Sequence, residues 1–263
     1  MLGLIREVVR DNVLNIGGRF RSARVPSAHI LASHYITRGK IAAGERVRVL
    51  TRFYDSLSKL GELTDFCNVV DRVQNRDFPN DRSLIALSFD DGFHECEEIA
   101  NFFEKKNIKV GFFVNSGSIE NDSEYYKGHF KRLAIENKTF LTWNTLKDMH
   151  SAGHTIGSHT VDHVRLNITD PELLREQICR DKEKIDKNIG FDCQHFAWPY
   201  GTEKDISSDA IEIAVNTFKY VFSSCDYGFY NGLNESVINR RHVEPFWQAS
   251  HLKYFVSSVR KCR

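Results

Sequence analysis

Two short stretches carry side chains whose types and spacing suit chemistry. LIALSFDDGF, Leu84 to Phe93, is an apolar run that ends in adjacent carboxylates, Asp90 and Asp91, and then a glycine. GSHTVDH, Gly157 to His163, places His159 and His163 four residues apart. The apolar run reads as a buried strand. An uncompensated charge at its end would be costly, so the aspartates either face solvent at a turn or meet something positive. If the second stretch turns helically, both imidazoles lie on one side, a usual geometry for two ligands on one metal. An HxxxH pair alone is weak evidence in a chain with eleven histidines. With the aspartates it gives two imidazoles and a carboxylate, a ligand set that leaves positions open for water and substrate. The remaining carboxylate can then act as a base. A divalent cation would offset the charge at the strand end.

These residues need a frame, and the hydropathy pattern supplies one. Ala28 to Ile36 reads as a strand after Pro26. From about Glu45 to Leu60, Val49, Phe53, Leu57 and Leu60 share one helix face. LIALSF is the next strand, HECEEIANFFEKK a helix, and KVGFFVNSG a strand ending in a polar turn. TWNTLKDMHSAGH is a helix with Gly153 near its end, and HTIGSHT is short and strand-like. Thr169-Asp170-Pro171-Glu172 joins a capping residue to a proline in the first turn. It starts a helix to Gly190, with Leu174, Ile178, Ile185 and Ile189 on one face. DCQHFAWPYG, KYVFSS and SVINRRHVE are later strands, and the chain from about Gln248 is helical. Strands alternating with helices predict an α/β fold with a largely parallel sheet. About seven or eight β/α units fit the length, which favours a barrel, complete or distorted, in a single domain over 1–263. Residues 1–27 are expected to form a helical extension and 118–139 an inserted loop region. Functional residues of such barrels gather at the C-terminal ends of strands, where Asp90, Asp91 and the HTVDH segment fall.

The totals narrow the function classes. With 36 basic and 35 acidic residues, a net charge of +1 gives no electrostatic case for nucleic acid. Six cysteines at irregular spacing, none in a CxxC pair, argue against a zinc knuckle or a disulfide framework and fit reduced thiols in the cytoplasm. Arg6, Glu7, Arg10 and Asp11 interrupt the apolar residues near the start, and no stretch reaches the length of a membrane span. The spacing of Leu2, Ile5 and Val9 suggests a short amphipathic helix, either packed on the domain or in peripheral contact with a membrane.

SFDDG and GSHTVDH resemble two motifs of the polysaccharide deacetylase family (carbohydrate esterase family 4, the NodB-homology domain). FAWPYG, Phe196 to Gly201, resembles the third. TWNTLKDMHSAGHTIGSH is also similar to the family's usual lead into its second motif. The likeness extends over roughly Ile30 to Val243. It implies a distorted (β/α) barrel with about seven strands, and metal-dependent hydrolysis of an N-acyl group on an amino sugar. On the matching positions it implies Asp91, His159 and His163 as ligands of one divalent ion, with Asp90 as general base. Zn2+ suits that set, and Ni2+, Co2+ or Fe2+ are chemically allowed. The backbone N–H of Tyr200 would hold the oxyanion together with the metal. Trp198, Pro199 and Tyr200 would line the substrate site.

Other parts of the family pattern lack a clean copy. The leaving amine needs a general acid, and the family's late L-x-H motif is absent. His34, in HILASHYI, resembles the corresponding strand of a subgroup whose last motif is circularly permuted to the N-terminus. His242, in NRRHVEP, is the alternative. The position of the arginine that often pairs with the base is Ala197; Arg240, or Arg241 beside it, could supply the guanidinium. The D-x-x-D-W motif is not recognisable, so what orients the acid is open. Trp143, Tyr125 and Tyr126 are further candidates for stacking on sugar rings. His94 reads as solvated or supporting, and His150 and His154 as structural. The resemblance implies an acylated amino-sugar substrate, nucleotide-linked, lipid-linked or oligosaccharide, in surface polysaccharide or O-antigen biosynthesis. The alternatives are an amidohydrolase acting on a linear or cyclic amide, and a catalytically inactive carbohydrate-binding relative.

Overall fold

A computed structural model describes residues 12–20, 25–39, 41–120, 128, 138–233 and 235–262. In chain order its elements are α1 (12–20), β1 (Ala28–Ser33), α2 (Ala43–Ser58), β2 (Glu62–Leu63), α3 (Phe66–Gln74), β3 (Leu84–Phe89), α4 (Glu95–Glu104) and β4 (Gly111–Val114). There follow α5 (Trp143–Ser151), β5 (Thr155–Ser158), α6 (Pro171–Ile189), β6 (His195–Ala197), α7 (Ser208–Thr217) and β7 (Tyr220–Ser223). The last are β8 (Asn231–Gly232), β9 (Val237–Asn239), β10 (Arg241–His242) and α8 (Ala249–Val256).

The strands form one sheet in the order β10-β1-β3-β4-β5-β6-β7-β9-β8, with β2 beside the start of β3. All pairs are parallel except β8 with β9. The sheet curls on itself. β9 pairs with β7, Val221 opposite Val237, and two residues after β9 ends β10 pairs with β1, Leu31 opposite Arg241. The run 237–242 therefore bridges both sides of the sheet. With β1, β3, β4, β5, β6 and β7 it makes the distorted barrel of about seven strands that the sequence predicts.

Alternation along the strands divides the core. Ile85, Leu87 and Phe89 of β3 belong to the cluster that packs under the helices, whereas Leu84 and Ala86 belong to a second cluster with Ile30, Phe113, Phe222 and Ile238. That second cluster fills the barrel and takes in Phe66, Val69, Val70 and Val73 of α3. The helix starts where the Phe66 N–H donates to the carbonyl of Lys109, just before β4, so it plugs the end of the barrel where the strands begin. Gly157 makes space for this filling: a Cβ there would fall 2.6 Å from the Phe113 ring.

The helix signals of α6 hold. The Asp170 side chain accepts from the N–H groups of Glu172 and Leu173, Pro171 follows, and Gly190 ends the helix at φ 90°. Two helices, α3 and α7, were not anticipated. They span nine and ten residues. β1 stops at Ser33 rather than Ile36, because the backbone leaves the sheet to turn His34 over the mouth. Of the expected extension only 12–20 and 25–27 are described. Leu14 is buried, and a Cβ at Gly18 would collide with the Ser250 carbonyl on α8, so α1 lies against that helix. Leu2, Ile5 and Val9, and most of 118–139 including Tyr125 and Tyr126, lie outside the described residues. No helix among the described residues is long and apolar enough to cross a membrane.

Candidate active site

Asp90 and Asp91 leave β3 at the barrel mouth. Asp91 and Gly92 both take left-handed backbone, φ 74° and 70°, which costs a non-glycine residue stability and marks an over-determined turn. Asp91 is buried. Its Oδ1 receives no hydrogen bond and lies 3.1 Å from His163 Nε2 and 3.5 Å from His159 Nε2. All three atoms stand within 4.8 Å of one another. The Nδ1–H of His159 donates to the carbonyl of Ala197 at 2.6 Å, which leaves the Nε2 lone pair facing the cluster.

The histidines do not meet through a helical turn. Residues 159–163 are irregular, and Thr160 and His163 are left-handed, φ 69° and 52°. For β-branched Thr160 that is a real outlier. Buried polar groups hold the loop in place. Asn115 Nδ2 donates to the carbonyls of His159 and Thr160, the latter at 3.0 Å. Asp181 accepts from the Ser116 N–H at 2.9 Å and from the Ser158 hydroxyl at 2.6 Å. Burial pushes the Asp181 carboxyl up to about 6, against those hydrogen bonds.

The Asp91 cluster fits a divalent ion. Burial lowers His159 to about 4, with Asp90 opposing, so its imidazole is neutral at neutral pH. Burial alone would raise Asp91, but His163 outweighs it and holds the carboxyl anionic. Neutral imidazole and carboxylate are the protonation states that bind metal.

Asp90 faces an arginine. Arg240 Nη1 donates to Oδ1 at 2.9 Å and Nη2 to Oδ2 at 2.8 Å, and Nη1 also reaches the Ser88 hydroxyl at 3.0 Å. The guanidinium lies inside the barrel, 4.7 Å from the Phe113 ring centroid and 5.7 Å from that of Phe222. Burial would raise the Asp90 pKa; Arg240 outweighs it, with help from His159, and holds it below the usual carboxylate range. Arg241 points to the other side of the strand, 3.8 Å over Phe255. Strand alternation thus separates the two arginines that the sequence left as alternatives.

Across the mouth, His34 follows β1. Its Nδ1–H donates to Glu244 Oε1 at 2.8 Å, and its backbone N–H to Glu244 Oε2 at 3.3 Å. His242 Nε2 meets the same Oε1 at 2.9 Å. Burial acts to lower the His34 pKa, but Glu244, with Asp91 and Asp90 behind it, outweighs that and raises it to about 10. Burial would raise Glu244, and the two histidines reverse this.

The third motif contributes less side-chain surface than expected. Trp198 is 1% exposed and belongs to the core, its Nε1–H donating to the Thr202 carbonyl; that burial leaves it no face for a sugar, which corrects the expectation of stacking there. Pro199 is buried as well. Tyr200 is 40% exposed, left-handed at φ 64°, and its ring stands between His163 at 5.0 Å and the Arg165 guanidinium at 3.9 Å. Trp143 packs partly against the core. His94 is largely exposed. His154 accepts from the Val110 N–H, and His150 stacks on Phe191. Sequence reasoning missed Glu244, Ser88, Asn115 and Asp181. Glu244 could have been found two residues beyond His242, and Ser88 as the one inward polar residue of β3. Asn115 and Asp181 carry no sequence signal, because distant segments bring them to the loop.

The model of a family described as polysaccharide deacetylase matches residues 78–218, more than half of the chain. A peptidoglycan-N-acetylglucosamine deacetylase of Bacillus cereus is 26% identical over 125 residues, 47% of this chain and 38% of that protein. YxkH of Bacillus subtilis is 24% identical over 182 residues, 67% of this chain and 57% of its own length. The chain thus spans about half the length of these curated relatives or less. Among solved structures, IcaB from Ammonifex degensii superposes with a TM-score of 0.67 at 19% identity, covering 88% of this chain and 97% of that one. A de-N-acetylase from Aggregatibacter actinomycetemcomitans gives 0.63 at 18%, covering 87% and 99%. At these identities the likeness is one of fold.

Proposed function

The chain belongs to the polysaccharide deacetylase family, and we propose that it hydrolyses an N-acyl group, acetyl before formyl, from an amino sugar with the help of one divalent ion, Zn2+ first. The observation that carries this reading is the convergence of Asp91, His159 and His163 between an arginine-bound carboxylate, Asp90, and a carboxylate-bound imidazole, His34. A divalent ion held by Asp91, His159 and His163 would polarise the acyl carbonyl and make water more acidic. Asp90, anionic and fixed by the Arg240 fork, accepts a proton from the attacking water. As oxygen bonds to the acyl carbon, the Tyr200 backbone N–H donates to the developing oxyanion. The C–N bond then breaks, and the amine nitrogen takes the proton from His34 Nε2. Glu244 keeps His34 protonated through the neutral range and fixes its ring through Nδ1. His34 serves as the acid on this reading because it faces Asp90 and Asp91, and its place just after β1 supports the likeness to the subgroup with a permuted last motif.

Precursors of surface polysaccharide, nucleotide-linked, lipid-linked or oligosaccharide, are the substrates of this reading. Six free cysteines support a reducing, cytoplasmic setting. An inactive carbohydrate-binding relative would have no need of the Arg240 fork. The test is metal content and acyl release together, in wild type and His163→Ala after stripping and reloading with zinc. One ion per chain and release of acetate or formate from N-acylated sugars, both lost in the variant, are expected. A wild type that binds no ion and leaves every acylated sugar intact would sink the reading.

A further inference from the structure

Glu244 is buried, yet one of its oxygens serves two imidazoles: Oε1 lies 2.8 Å from His34 Nδ1 and 2.9 Å from His242 Nε2. The two rings meet edge to face with centroids 5.1 Å apart. Both open to water, their side chains 30% and 43% exposed. The His242 ring rests edge-on against Trp247 at 5.2 Å. Orienting His34 requires Glu244 alone, so the proposed hydrolysis gives His242 no task. What the geometry does offer is a second set of two imidazole nitrogens and a carboxylate oxygen within 4.8 Å of one another. That donor set suits zinc and its neighbours.

We propose that His34, His242 and Glu244 form a second divalent-cation site, weaker than the Asp91 set, whose filling switches off the general acid. The switch rests on the reading above, but the site itself does not. The ion takes the place of the protons on His34 Nδ1 and His242 Nε2, which pass to water. His34 keeps only the Nε2–H of a neutral, metal-bound ring, a far weaker acid than the imidazolium. Weakness follows from competition. Here both imidazole nitrogens that would bind the ion are hydrogen-bonded to Glu244 Oε1, so the ion must displace the protons in those bonds. Access differs in the same direction, the first set being buried and the second opening on the mouth. A single carboxylate, itself shared by both rings, completes the three ligands, and the remaining coordination positions go to water.

Equilibrium dialysis against rising free zinc, with the ions counted per chain, tests this in wild type, His242→Gln and His163→Ala. Two steps are expected in wild type. His242→Gln should lose only the weaker step and His163→Ala only the tighter one. His242→Asn, with a shorter amide, should behave like His242→Gln, and melting curves check that each variant folds. In the assay, excess zinc should depress wild-type turnover, and the inhibiting concentration should rise about tenfold or more in His242→Gln. A wild type that stops at one ion, or a second step unchanged in both His242 variants, would overturn the site. A second step that leaves turnover unaffected would overturn the switch. If the deacetylase reading itself fails, the dialysis still reads the weaker step in His163→Ala.

Discussion

Arg240 and Arg260 are both buried, and both lie where the barrel closes, but they are held in opposite ways. Arg240 presents its fork to one carboxylate, Asp90, and both charges are compensated at 2.8–2.9 Å. Arg260 has no carboxylate within ion-pair distance among the described residues. Its Nε donates to the Tyr227 carbonyl at 3.1 Å, Nη1 to Ala28 at 2.8 Å, and Nη2 to Phe229 at 2.9 Å and Asn239 at 2.7 Å. The rings of Tyr227 and Tyr230 flank it at 4.4 and 4.6 Å. Burial lowers its pKa and the two tyrosines oppose this. The same side chain does two jobs. Paired with a single anion, it sets the charge state of one buried carboxylate. Spread over four carbonyls from β1, the end of β9 and the 227–229 turn, it ties together strands far apart in sequence.

Removing each arginine should separate these jobs. Arg240→Met should lower kcat/KM about 10³-fold or more, because Asp90 loses its partner in a buried site. Arg240→Lys should rescue little, since an ammonium cannot fork. Arg260→Met should cost about 3 kcal/mol of unfolding free energy, with four carbonyls left short of a donor, while kcat/KM stays within about twofold where the protein is folded. Denaturant titrations and steady-state kinetics on the same preparations decide. Similar profiles for the two variants would erase the contrast.

Glu244→Gln sharpens it on the acid side. Without the carboxylate the His34 pKa falls from about 10 toward the imidazole range. The alkaline limb of the pH profile should move down, and the rate should fall about 10- to 100-fold. The smallest effect concerns His195, which lies against the Tyr220 and Phe222 rings inside the barrel. Burial lowers it to about 4, with Asp71 opposing. A depressed histidine contributes stability that is present above the unfolded value near 6.5 and is lost as pH falls toward 4. His195→Phe should remove that loss, keeping about 2 kcal/mol more of its neutral-pH stability at pH 5 than wild type keeps. An unchanged acid slope would mean that this interior admits water or charge without a carboxylate.

Much of this molecule is legible in one sequence, for identifiable reasons. β3 is a continuous apolar run because both its faces are buried, and α6 announces itself through Asp170, Pro171 and Gly190 at its ends. The residues of the Asp91 cluster could be named because they sit in short contiguous motifs. What could not be read is what contiguity does not encode. His159 and His163 suggested a helical turn from their spacing, yet left-handed backbone at Thr160 and His163 joins them, held by Asn115 just past the end of β4. Trp198 looked like a platform from its neighbours and proved to be core. Arg240 and Arg241 could be separated only once the register of 237–242 put one inside the barrel and the other outside.

That closing run has a consequence in time. Arg240, His242 and Glu244 lie on it or just beyond it, after every other strand has been made. A chain growing from its N-terminus can assemble the Asp91 cluster, which needs β3 to β6 with α6 between them, before it reaches residue 237. Until then Asp90 has no guanidinium and His34 no carboxylate. A nascent or truncated chain could therefore hold an ion without turning over substrate, so activity reports that the last strand has docked.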